Sequence, residues 1–443
     1  MAHAGSTVMT PDASRPLAVD LFAGAGGLSL GLEQAGFDVA AAVEYDPIHA
    51  AVHEYNFPYS RTFCRDVATM TGGEIREDSL IGPREIEVVA GGPPCQGFSM
   101  IGKRALDDPR NALLQQFTRL VIELQPRYFI LENVAGLTVG NHRQLLDEVI
   151  DTMSSAGYDT LLPYKVLQAA DFGTPQSRKR LILMGARRGV SAPKYPEPQF
   201  TPRRIDGLPP QATLSPLLPV GPSVEEALGD LPDADEFEEL LASDHVRAHF
   251  GTPSAYAATL RDMAQDVDDF SHPRDFAPDL LTSSTRTIHT DESIRRFAET
   301  LPGTTEKVSR FLRLHPDGIS NTLRAGTSSD RGAYTAPRPI HPTLPRVLTV
   351  REAARLHGYP DSFRFHVTKW NGFRQIGNSV PARLGRAIGS SILNADSITP
   401  SRGRRIHLGD PSPLSFTATQ SLRHFGIEHR VIPQRDRKSA GQA

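Results

Sequence analysis

Two cysteines occur among the 443 residues of the chain. One, Cys95, stands in VVAGGPPCQGFSMIGKR (88–104), directly after two glycines and two prolines at the end of an apolar run. A buried structural cysteine sits more comfortably inside such a run than in a stiff turn past it, so the placement reads as presentation of a thiol. With a free pKa near ~8.5, a thiol becomes a nucleophile where its surroundings favour the thiolate or its electrophile is activated. The plainer alternative, a small buried hydrophobe, fits the flanking prolines poorly. Glu132 closes another apolar run in YFILENV (128–134) and can point into the same crevice; an N-cap or surface acid is the other reading. QSRKR (176–180) sets Arg178 and Arg180 at alternate positions that face one way if extended, against the alternative of a solvated basic strand edge.

DLFAGAGGLSLG (20–31) follows a strand-like run and opens a helical one, where glycines let backbone amides approach a ligand at a helix N-terminus. Ser29 stands at the third glycine position of the dinucleotide fingerprint, so a tight turn with no ligand competes with nucleotide binding. Glu44 ends the next run, where a carboxylate would accept from ribose hydroxyls, and Asp66 in CRDV is a third acid at a strand end. At this point NAD and S-adenosylmethionine both remain open.

These residues need a scaffold that brings strand ends together. Apolar runs alternate with amphipathic segments from Leu17 to about Arg187: LAVDLF, FDVAAAVE, EIEVVAGG, YFILENV and RLILMGA read as strands. Leu113, Phe117, Leu120 and Leu124 recur at helical spacing, as do Leu145, Leu146, Val149, Ile150 and Met153. The pattern predicts an α/β fold with a doubly wound, mostly parallel sheet, whose ligands sit at the carboxyl ends of the strands. Proline-rich, weakly periodic sequence after Arg188 predicts a linker and a second domain. Thr349 and Glu352 are spaced as a capping box, and 375–393 reads as a turn feeding a last helix. The ends, 1–15 and 399–443, read as tails with little to pack.

Composition narrows the classes. Two cysteines cannot build a disulfide framework or a thiolate-rich zinc site, so no metal is expected, and no apolar run approaches the ~20 residues needed to cross a bilayer. A soluble, cytoplasmic protein is expected. The net charge of −3 hides segregation. Basic residues crowd 176–204 and the C-terminal end, while 225–270 is dense in acids. A phosphate-binding surface would exclude that acidic stretch, which should face away from any nucleic acid. Residues 307–346 carry Lys307, Arg310, Arg313, Arg324, Arg331, Arg338 and Arg346 with few acids, so loops there should approach it, with Arg324 or Arg331 reading a guanine or gripping phosphate.

DLFAGAGGLSLG, Glu44, Asp66, GGPPCQGFS, ENV, QSRKR, REAARLHGYP and GNSVP occur in the order found in the DNA (cytosine-5)-methyltransferases, which the chain resembles over roughly 17–188 and 320–393. His357 and Tyr359 depart from the glutamine and phenylalanine more usual there. The resemblance implies a Rossmann-like methyltransferase sheet (15–193 plus 370–398), a smaller target-recognition domain (194–369, with its acidic insert at about 225–270) and a basic tail (399–443). It selects S-adenosylmethionine as cofactor. It assigns Phe22, Gly24 and Gly26 to the glycine-rich turn, Glu44 to ribose, Tyr45 and Asp66 to adenine, and Pro93, Leu113, Asn378 and Ser379 to the surrounding pocket. It implies that Cys95 adds to cytosine C6 while protonated Glu132 engages N3, with Arg178 at the cytosine O2 and Arg180 as the less central partner. The base must leave the duplex, and residues 96–110 would close over it, with Lys103 and Arg104 for phosphates. Double-stranded DNA is the expected partner of a monomeric, nucleoid-associated bacterial enzyme, and a cognate restriction endonuclease or other defence protein would accompany it.

The nearest rival is a transfer-RNA cytosine-5 methyltransferase. That group carries a Cys-Phe-Thr signature after ENV, and this chain has no cysteine beyond Cys95. A catalytically silent DNA-binding relative would not need Cys95, Glu132 and Arg178, and an NAD-dependent oxidoreductase would leave PPCQ and ENV unused.

Overall fold

The computed structural model describes residues 14–79, 81–94, 112–139, 142–208, 218–326 and 338–428. The N-terminal half alternates strand and helix: β1 (Leu17–Leu21), α1 (Gly27–Ala35), β2 (Asp38–Glu44), α2 (Pro47–Asn56), β3 (Arg61–Cys64), α3 (Gly72–Asp78), β4 (Val88–Gly91), α4 (Ala112–Leu124), β5 (Tyr128–Val134) and α5 (His142–Ser155). Three further strands follow, β6 (Tyr158–Thr160), β7 (Lys165–Gln168) and β8 (Lys179–Arg187). They form one sheet in the order β3-β2-β1-β4-β5-β8-β6, with β7 also on β8. The first five strands in that order are parallel, and β8 runs antiparallel to β5. The expected doubly wound α/β sheet is present. Short, polar β6 and β7 carry no apolar run, which is why they escape a reading based on periodicity.

Strand alternation sorts the core onto two faces. Leu17, Val19 and Leu21 pack with Phe117, Leu120 and Leu124 of α4 and Leu146 and Val149 of α5. Ala18 faces the opposite cluster, which holds Leu28 and Leu32 of α1. That second layer is completed from far down the chain by α11 (Ala382–Ala395), through Leu384, Ile388 and Ile392. Helix α1 meets it almost backbone to backbone: a Cβ on Gly31 would lie 2.6 Å from the Ala382 carbonyl oxygen and 2.7 Å from Gly385 Cα. Gly31→Ala should therefore destabilise the fold by ~1–3 kcal/mol through overpacking. Urea unfolding measures this, and an unchanged midpoint would mean that the two helices part at no cost.

The remaining elements are α6 (Val224–Leu228), β9 (Val246–Arg247), α7 (Ala255–Leu260), β10 (Leu280–Leu281), α8 (Asp291–Glu299), α9 (Val350–Leu356), α10 (Lys369–Asn378), α11 (Ala382–Ala395) and α12 (Ala418–His424). Thr349 and Glu352 form the expected capping box on α9. The stretch read as a turn before the last helix is instead largely the end of α10, with the bend confined to Ser379–Pro381. Residues of this region share a core with the first half, where Leu228, Leu323, Leu348 and Phe363 cluster with Leu30, Phe57 and Tyr59.

The acids of 225–270 are not all left to solvent: Asp230 pairs with Arg355 and Arg261, Asp233 with Arg346, and Asp266 with Arg386 of α11. Arg355 and Asp230 are both fully withdrawn from solvent, so removing either would leave an uncompensated buried charge. Much of the acidic run thus neutralises arginines contributed by other segments. Nor are the described ends loose: Arg15 is buried on Asp38 at 2.6 Å, Ile406 and Leu414 are buried, and His424 of α12 meets Glu54 of α2.

Candidate active site

The carboxyl ends of β1, β2, β3, β4 and β5 open on a cavity of about 780 Å³, within the range of small-molecule sites. It lies where the chain, having wound outward from β1 through β2 to β3, returns to place β4 on the other side of β1. At the end of β1 the backbone turns sharply: Phe22 has a φ of +62°, a left-handed conformation costly for a bulky residue, and Gly24 has +58°. Gly24 N–H donates to Glu44 Oε2 at 2.7 Å, and Asp46 N–H donates to Glu44 Oε1 at 2.7 Å. One carboxylate at the end of β2 therefore ties the glycine turn to the start of α2. Burial raises the Glu44 pKa despite these donors.

Phe22, Gly24, Glu44, Tyr45, Asp66, Pro93, Leu113, Asn378 and Ser379, all singled out from the sequence, line this cavity. Gly26 does not. It caps α1 with a φ of +102°, and a Cβ there would meet the Phe57 ring at 2.3 Å, so its role is in the turn rather than the lining. Ser29, the departure from the glycine fingerprint, is explained by its surroundings: its hydroxyl meets Asp20 at 2.6 Å and His53 Nε2 at 3.0 Å. Asp20 lies on the cavity floor with its pKa pushed up to about 7 by burial. His49 and Arg374 also line the cavity, and Arg374 pairs with Asp46 at 3.3 Å. Lone charged residues inside helices gave no signal for this in the sequence.

At the other end of the cavity stands Glu132, near the end of β5. A Cβ on Gly92 would come within 2.7 Å of its Oε2, so a glycine is needed for β4 to pass. Asn133 Nδ2 donates to the Pro93 carbonyl at 3.1 Å and fixes the chain just before Cys95. Cys95 itself, with Lys103, Arg104 and Arg331, lies outside the described residues. Burial raises the Glu132 pKa, and Arg180 and Arg178 oppose that shift.

The antiparallel direction of β8 brings its first residues to the carboxyl end of β5, pairing Val134 with Arg180. Arg178 and Arg180 both line the cavity. Arg180 Nε lies 2.7 Å from Glu132 Oε1. Arg178 is 1% exposed and spends its guanidinium on the carbonyls of Leu323, Gly377 and Ser379, each at 2.8 Å. Its Nη donors are committed to the backbone, and Arg180 is the arginine paired with Glu132.

Arg324 stands exposed on the same cavity. Two other arginines of 307–346 are not available to DNA. Arg313 is buried on the carbonyls of Phe297, Ala298 and Thr300, and Arg346 on Glu352 and Asp233.

A family model, C-5 cytosine-specific DNA methylase, matches residues 18–394. The chain belongs to the C-5 cytosine-specific DNA methylases. It is 54% identical over 425 residues to the type II methyltransferase M.XorII of Xanthomonas oryzae pv. oryzae, covering 96% of each chain. It is 31% identical to the type II methyltransferase M1.HphI of Haemophilus parahaemolyticus, covering 86% of this chain and 87% of that one. Among solved structures it resembles a prophage-encoded E. coli protein assigned as a DNA modification methyltransferase, with a TM-score of 0.67 and 32% identity over 86% of this chain and 99% of that one. The Dnmt2 methyltransferase of S. pombe, at 18% identity and a TM-score of 0.50 over 86% and 99%, shares the fold. This C-5 cytosine methylase is thus a DNA (cytosine-5-)-methyltransferase. No helix among its described residues is long and apolar enough to cross a membrane.

Proposed function

We propose that the protein methylates carbon 5 of cytosine within a specific sequence of double-stranded DNA, taking the methyl group from S-adenosylmethionine and holding the target base out of the helix. The observation that carries this reading is a single cavity with Glu44 and the glycine turn at one end and a buried Glu132–Arg180 pair at the other, beside the strand that leads into Cys95. The lining suits the cofactor. Glu44 supplies a ribose acceptor, Tyr45 and Asp66 an aromatic and polar flank for adenine, and the strained turn at Phe22 and Gly24 a close approach for the rest. When bound, S-adenosylmethionine offers an electrophilic methyl group.

Cytosine C5 is too weak a nucleophile to take that methyl unaided. Addition of the Cys95 thiolate to C6 forms an S–C6 bond and displaces the ring electrons so that C5 becomes enamine-like, while Glu132 donates its proton toward N3 and Arg180 holds the exocyclic oxygen. Once C5 has taken the methyl group, loss of the C5 proton to a water molecule restores the C5–C6 double bond and expels the Cys95 thiolate, while N3 returns its proton to Glu132. A base inside duplex DNA cannot reach this cavity, so extrusion costs a few kcal/mol that contacts must repay. A cognate endonuclease recognising the same sequence is the partner this class implies.

Bisulfite sequencing of duplex DNA treated with the purified protein and S-adenosylmethionine tests both the reaction and its sequence context. Protection of cytosines in one defined context is expected, and unmodified DNA beside methylated transfer RNA would overturn the reading. For the cofactor, Glu44→Ala should weaken S-adenosylmethionine binding at least tenfold, ~1.4 kcal/mol, because it removes the ribose acceptor and frees Gly24 from its tether. Calorimetry should find DNA affinity, measured alone, unchanged. Binding of NADH in place of S-adenosylmethionine would defeat the assignment.

A further inference from the structure

Arg324 is exposed on the cavity, and the backbone around it is held at every polar group of the preceding residue. Both backbone polar groups of the preceding residue, Leu323, are taken by side chains of the QSR segment. Leu323 N–H donates to Gln176 Oε1 at 3.2 Å, and the Leu323 carbonyl accepts from Arg178 Nη1 at 2.8 Å. Thr322 donates its hydroxyl to the Ser177 carbonyl at 2.6 Å, and Ser177 N–H donates to the Ser320 carbonyl at 2.7 Å. On the other side lies Gly377, at the end of α10: a Cβ there would fall 2.2 Å from Ala325 N and 2.4 Å from the Arg324 carbonyl carbon. Arg178 Nη2 meanwhile takes the carbonyls of Gly377 and Ser379, both in the cavity wall.

We propose that Gln176, Arg178 and Gly377 are positioning residues for target choice: they touch no DNA, yet they fix residues 322–325, and with them Arg324, against the wall of the cavity. Gln176 is 0% exposed, and Arg178, though it borders the cavity, is 1% exposed with both Nη atoms taken by backbone carbonyls, so neither presents a free Nη or amide donor to the duplex. Their polar atoms go to segments that border the cavity, and the contact at Gly377 leaves no room for a side chain. This geometry sets the height of the Arg324 backbone above the crevice. Base discrimination depends on donor placement to within about half an ångström, so a shift of the segment alters which sequence is accepted before it alters the chemistry.

The inference rests on the methylation reading above, and the experiment keeps the two apart. Wild-type protein first methylates a random-sequence duplex library, scored by bisulfite sequencing. Gln176→Ala, Gly377→Ala, Arg178→Met and Arg178→Lys are then compared on the preferred duplex and its single-base variants, with rates divided by the fraction of protein that binds S-adenosylmethionine. The ratio of kcat/KM between preferred and variant duplexes is expected to fall at least tenfold in Gln176→Ala and Gly377→Ala. Arg178→Lys should restore part of what Arg178→Met loses. Should Arg178→Met fail to fold, the two milder variants decide. An unchanged ratio in both, with only active protein lost, makes these residues merely structural and overturns the proposal. Absence of DNA methylation by the wild type would instead overturn the reading on which it rests, and the inference with it.

Discussion

Cys95→Ser is expected to lower methyl transfer by at least about 10³-fold, ~4 kcal/mol of barrier, while S-adenosylmethionine still binds. A serine hydroxyl is far less ionised than a thiol at neutral pH, so the attack on C6 loses its nucleophile without loss of shape. Incorporation of tritiated methyl groups into DNA measures the rate, and activity near that of wild type would end the covalent mechanism. The other cysteine does not confuse the result. Cys64 is buried at the end of β3, and its thiol is pushed up to about 12 by burial and by Glu44, Asp46 and Glu54. Iodoacetamide near neutral pH should therefore modify Cys95 alone, and prior alkylation should abolish methylation in the wild type.

Glu132→Gln should cost more than tenfold in kcat, since an amide can hydrogen-bond N3 but cannot protonate it. Burial is the larger influence on this carboxyl and raises its pKa even with Arg180 at 2.7 Å. The protonated form is the donor, so the wild-type rate should fall as pH rises through the raised pKa. That alkaline limb should vanish in the glutamine variant. Stability supplies the control. A carboxyl with a raised pKa in the folded state binds more protons folded than unfolded, so it favours the fold below its unfolded value and loses that favour as pH rises through the folded one. Glu132→Gln removes this loss and should unfold in urea no more easily than wild type at alkaline pH. A smaller rate loss in a stable protein would show that Glu132 is not the acid.

The sequence by itself determined the parts of the molecule that depend on local spacing. Apolar period 2 and period 3.6 placed the main strands and helices, because each must bury one face. Thr349 and Glu352 declared the start of α9. The end of each parallel strand was legible as a place for chemistry, which singled out Glu44, Asp66 and Glu132, and the family resemblance added Phe22 and Pro93. Tertiary structure decided what spacing cannot carry. The antiparallel turn of β8 put Arg180 beside Glu132, whereas the identity of alternate arginines in QSRKR said nothing about which would meet substrate and which would be consumed by carbonyls from residues 323, 377 and 379. The acidic run at 225–270 reads from the sequence only as a stretch that should face away from nucleic acid; its pairing with Arg355, Arg346 and Arg386 from elsewhere in the chain, and with its own Arg261, is decided by the fold. Charge along a sequence fixes only how many ions must be accommodated. Which of them are buried depends on partners brought together by the fold, because a charge leaves water only where a counter-ion or a set of hydrogen-bond partners replaces its hydration.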